Sequence, residues 1–61
     1  MTNRTAKKLL RRAGFHLVRS RGDHFFWRHR RQPRRVVVLV GDDGNELSVR
    51  LLAELRRQLR G

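Results

Sequence analysis

The chain has no cysteine and no tyrosine, one proline, three phenylalanines and a single tryptophan, and only five acidic side chains. Each shortage excludes something. Without cysteine there is neither a disulfide nor a thiolate zinc site to reinforce the core, and nothing points to an oxidising compartment. The longest uninterrupted apolar run is Val36 to Val40, far short of the about 20 residues a membrane-spanning helix needs, and Met1-Thr2-Asn3-Arg4 lacks the apolar stretch of a signal peptide. The expectation is a soluble protein of a reducing cytoplasm, not exported and not in a membrane. At 61 residues the chain makes one domain, 1–61, with a small core, because folding at this size buries only about 60% of the surface of the unfolded chain.

What the chain has in excess is positive charge. Sixteen Lys and Arg, fourteen of them arginine, stand against the five acids for a formal net charge of +11. Such a field favours polyanionic partners, either nucleic acid or an acidic protein. A GC-rich coding sequence would also raise arginine usage, so the placement of the charges matters more than their number.

From Thr5 to Ala13, the residues Ala6, Leu9, Leu10 and Ala13 recur at the spacing of one helical face. Thr2, Asn3 or Thr5 can cap this helix, and Gly14 reads as its left-handed stop. At 100° per residue Lys7, Lys8, Arg11 and Arg12 are expected on the opposite face, together and with no intervening acid, as a phosphate-binding surface. Phe15 to Arg19 then reads as a strand, Ser20-Arg21-Gly22-Asp23 as a turn, and His24 to His29 as a second strand. A polar link with Pro33 leads to the clearest strand, Arg35 to Val40. Gly41-Asp42-Asp43-Gly44-Asn45 is a turn cluster, and Ser48 caps a second helix striped by Leu51, Leu52, Leu55 and Leu59.

The order α-β-β-β-α predicts an α+β fold, a two-layer sandwich with both helices on one face of a three-stranded antiparallel sheet, like a double-stranded-RNA-binding domain. The period of two puts Val36, Val38 and Val40 on one face with Phe26 opposite, the expected core. Phe25, Trp27, Val37 and Leu39 then fall on the uncovered face and are expected to bind a protein partner. A register slip of one residue would exchange the two faces.

His24, at the Gly22-Asp23-His24 turn, places an imidazole in a strongly cationic chain. Metal-free cleavage of RNA needs both a group that exchanges protons near neutral pH and cations that hold phosphates. No metal site is expected, since His16, His24 and His29 have no zinc-ligand spacing and Asp42-Asp43-Gly44 is too short for a calcium loop. There is no Gly-rich phosphate loop and no nucleophile elbow, and Ser20 and Ser48 read as turn and cap.

Several of these residues carry a likeness to a known family: Lys8-Leu9-Leu10 leading to Gly14-Phe15, Leu17-Val18-Arg19 followed by Gly22-Asp23-His24, Arg28-His29, the valine strand, and Asn45-Glu46-Leu47. In order and spacing the chain resembles the HicA toxins nearly end to end, small bacterial mRNA interferases neutralised by a HicB antitoxin. The resemblance implies the double-stranded-RNA-binding-like fold, cofactor-free and metal-independent endonucleolytic cleavage of mRNA, and a catalytic histidine at His24. It also implies a HicB-like partner, with any oligomer formed through that complex. Lys7, Lys8, Arg11, Arg12 and Gly22 are the expected RNA-binding positions.

The chain departs from the family pattern in three places. Asp23 stands where the family usually has serine; its carboxylate either favours the protonated imidazole, weakening His24 as a base, or orients the ring as the acid of a triad does. Val37 and Leu39 replace a threonine and a proline. Val49-Arg50-Leu51 replaces a proline-glycine start to the last helix. His29 and His16 remain open as general acid, although His29, five positions along, belongs to the other strand face. The competing reading is a non-catalytic basic module on the same fold, binding nucleic acid or protein.

Overall fold

The computed structural model describes residues 1–60, and the order of elements is the expected one: α1 (Asn3–Arg12), β1 (Phe15–Arg21), β2 (His24–His29), β3 (Val36–Val40) and α2 (Val49–Arg60). The sheet is antiparallel in the order β1-β2-β3. Ala6 and Leu10 of α1 and Leu55 of α2 meet Phe15, Trp27, Val37 and Leu39 of the sheet in one core, so both helices cover the same face. This is the α+β, double-stranded-RNA-binding-like architecture.

The helix termini follow from their cap residues. Thr2 is extended (φ −85°, ψ 162°), and its hydroxyl accepts from the Thr5 amide at 3.4 Å. Gly14 ends α1 at φ +98°, a conformation side-chain-bearing residues rarely adopt. Ser48 caps α2 by accepting from the Leu51 amide at 3.2 Å. Asn3 does something the sequence does not announce. It is buried, and its Nδ2 donates to the carbonyls of Val40 and Asp42, both at 2.8 Å. The Asn3 and Arg4 amides donate to Asn45 and Asp43 carbonyls. The loop after β3 thereby satisfies N–H groups that a helix start leaves without partners.

The assignment of the sheet faces is corrected. Trp27, Val37 and Leu39 are buried against the helices and Phe25 packs on them, while Phe26, Val36, Val38 and Val40 lie half-buried on the other side. The four residues expected on a partner surface are therefore core. The reason is area. A buried Trp removes about 150–250 Å² from water, more than any valine, and at about 25 cal/mol per Å² the set containing Trp27 and Leu39 outcompetes a set made of Phe26 and three valines.

The uncovered face is built from three rows. In register order they are His16, Arg28 and Val36; Arg19, Phe26 and Val38; and Arg21, His24 and Val40. Arg19 and Arg21 belong to this face because the register slips between Leu17 and Arg19, leaving Val18 as an extra residue. In an unbroken strand Phe15, Leu17, Arg19 and Arg21 would share one face. The bulge turns the two arginines outward while Phe15 stays in the core.

Candidate catalytic site

β1 reaches Arg21, and the link to β2 is the two-residue loop Gly22-Asp23. Gly22 has φ +60° and no non-glycine residue has positive φ, which makes this a type II′ hairpin turn. Such a turn continues the strand twist and fixes the first residue of β2, His24, opposite Arg21 on one side and Val40 on the other. The Gly41 amide donates to the Asp23 carbonyl at 2.8 Å and holds the loop against the end of β3.

His24 and Asp23 are 53% and 68% exposed, and His24 Nδ1 lies 3.0 Å from Asp23 Oδ1. An ionised carboxylate only accepts hydrogen bonds, so the contact requires the proton on Nδ1. In the neutral ring the lone pair then sits on Nε2, directed away from Asp23. Of the two roles open to Asp23, this geometry matches the orienting one. An exposed pair of this kind contributes little to stability.

The cations of α1 do not form the common face expected of them. Lys7 is only 20% exposed; it is ion-paired with Asp43 and sits over the Phe25 ring, 5.3 Å from its centroid. Arg11 sits over Trp27 at 5.1 Å. These two flank the core side, and only Lys8 and Arg12 project from the exposed part of the helix without such contacts. The Lys7 ammonium, first by its hydrogen bond and then by its charge, holds the Asp43 carboxyl below its ordinary value of 3.8. The helix also packs on the face of the sheet opposite to His24. The guanidinium on the same face and in the same row as His24 is that of Arg21, and Arg19 follows one row on.

His29 has a structural role. Its Nδ1 accepts from the amides of Arg31 and Gln32, both at 3.1 Å, and its ring meets Phe15 edge-on at 5.1 Å. It also borders a depression of about 360 Å³ lined by Arg12, Gly14, Arg30 and Arg31, at the end of the sheet away from His24. His16 shares the open face but is paired with Arg28, four residues from His24 and so roughly 13 Å away along the strand. Neither histidine is brought to His24. Among the described residues no three His, Cys, Asp or Glu side chains gather as metal ligands, and no helix is long and apolar enough to cross a membrane.

Fold and site together define a small basic α+β domain of double-stranded-RNA-binding type with one carboxylate-bonded histidine at a hairpin turn. The family model described as the HicA toxin of bacterial toxin-antitoxin systems matches residues 4–60. The chain belongs to the HicA toxin family, and its role is that of a toxin. No curated protein and no solved structure gives a significant match.

Proposed function

We propose that this toxin is a metal-independent endoribonuclease that cleaves mRNA with His24 as its general base. The observation that carries the reading is the Asp23–His24 hydrogen bond, which leaves the accepting Nε2 of an exposed imidazole beside Arg21. Nε2 takes the proton of a 2′-hydroxyl, the 2′-oxygen bonds to the adjacent phosphorus, and the bond to the 5′-oxygen breaks. The leaving oxygen takes a proton from water, and a 2′,3′-cyclic phosphate remains. Arg21 is the fixed cation closest in register to the charge that develops on the phosphoryl oxygens. An RNA substrate places the activity in the cytoplasm, and the neutralising partner is a HicB-like antitoxin, which the toxin family and the net charge of +11 both support.

The test is incubation with a mixed-sequence RNA in EDTA, beside His24→Ala. Cleavage to cyclic phosphate ends by the parent, lost in the variant, is the expected result. An RNA that is bound in a salt-dependent way but left whole would make the protein a non-catalytic basic module instead.

A further inference from the structure

We infer that the uncovered face of the sheet is the cradle of a single-stranded RNA, with phosphates on Arg21 and Arg28 and a base stacked on the Arg19–Phe26 pair. The inference rests on His24 as the reactive group and names the form of the substrate and the surface that aligns it.

Charge and shape both point to this occupant. None of the nine register positions of the face is acidic, and three are arginine. That disfavours a second copy of the same cationic chain. The arginines are distributed along the face, one in each row, with rows about 7 Å apart, so that a stretched backbone can be followed rather than a single anion held. The bulge at Val18 is what brings Arg19 and Arg21 to this side. In the middle row the Arg19 guanidinium lies 4.7 Å from the Phe26 ring centroid, and guanidinium planes and aromatic rings are the surfaces on which unpaired bases stack.

The apolar centre argues against a duplex. An RNA helix offers the surface its phosphates and 2′-hydroxyls and keeps its bases inside, so Phe26 and Val38 would gain no partner from it. The chemistry argues the same way. Attack of a 2′-oxygen in line with the departing 5′-oxygen requires a backbone free to leave helical geometry. A strand laid along β2 from Arg28 past Phe26 brings its next sugar to His24 at the end of the same face.

The experiment measures binding of a short fluorescein-labelled oligoribonucleotide whose 2′-oxygens are methylated, so that it cannot be cleaved. It is offered as a single strand and as a duplex with its complement, across a salt series. The expected result is tighter binding of the single strand. The triple variant Arg19→Gln, Arg21→Gln, Arg28→Gln should weaken binding about tenfold or more and flatten the salt slope by about 2, the change for three lost contacts at about 0.7 each. Phe26→Leu keeps an apolar side chain but loses the ring, and should weaken binding severalfold. The control Arg50→Gln, Arg56→Gln, Arg60→Gln removes equal charge from α2 and should cost far less.

Equal losses in the two triple variants, or tighter binding of the duplex, would overturn the proposal. So would unchanged RNA binding in the sheet variant together with loss of binding to an acidic protein partner. Because the probe cannot react, a protein that binds it through the sheet but never cleaves natural RNA refutes the role of His24 and leaves the cradle standing. Cleavage by a protein whose sheet variant binds normally does the reverse.

Discussion

His24 Nδ1 and Asp23 Oδ1, from adjacent residues, are 3.0 Å apart. The carboxylate that departs from the family pattern is thus bonded to the imidazole it precedes. If the bond orients the ring, Asp23→Asn should lower kcat by roughly tenfold with little change in KM, since the amide can also donate to Nδ1 and so stabilise the tautomer with its proton on Nε2. The loss is expected to be well below that for a buried triad, because solvent competes for both groups. A variant with higher kcat than the parent would show instead that the carboxylate hinders the base. Cleavage of a fluorogenic RNA across a substrate series separates these outcomes.

Lys7 and Asp43 bind the first turns of α1 to the loop after β3. Since the Asp43 carboxyl is held below 3.8 by the Lys7 hydrogen bond and charge, the folded state favours the ionised form. The contribution is present above 3.8 and lost as the pH falls through the lowered value. Thermal melts of the parent and Asp43→Asn should therefore differ at neutral pH and converge on acidification below 3.8. A gap that persists or widens there would show that the loop is held by other contacts.

Trp27 and Val38 report on opposite faces of the sheet. Trp27→Ala should cost about 3–5 kcal/mol, enough to unfold much of a domain this small, whereas Val38→Ala on the half-buried open face should cost about 1 kcal/mol or less. Urea denaturation measures both. Similar losses would mean that the open face is covered in solution.

That pair also shows where the sequence stops being legible. The α1 stripe, the Gly14 stop, the Ser48 cap and the three-strand meander are local signals, set by periodicity and backbone preference, and each is found where expected. The choice of sheet face is not local. Phe25, Phe26 and Trp27 are all apolar, as is every residue of β3, so no polar alternation marks the inward side, and the choice falls to the area each set buries against the helices. The same holds for the site. His24 and its turn are written in Gly22-Asp23-His24. The outward placement of Arg19 and Arg21 depends on a bulge that no residue type announces, and Lys7 and Arg11 are drawn onto Phe25 and Trp27 once those rings face the helix. Asn3 reads as a cap candidate and instead becomes a buried donor, because its partners are carbonyls brought from residues 40 and 42.

Gly22 makes the last test, since an added Cβ there would meet no atom within 4 Å. Any penalty for Gly22→Ala is therefore a backbone penalty, expected at about 1–2 kcal/mol. A type II′ turn and a type I′ turn both need φ > 0 at this position, but only the latter uses the left-handed helical region that Asn tolerates. With Asp23 at negative φ, Gly22→Asn should be nearly as destabilising as Gly22→Ala. Recovery of parental stability by Asn in chemical denaturation would mean that the loop is type I′. The hairpin would then present His24 and Arg21 with a different twist, and the row they form with Val40 would have to be redrawn.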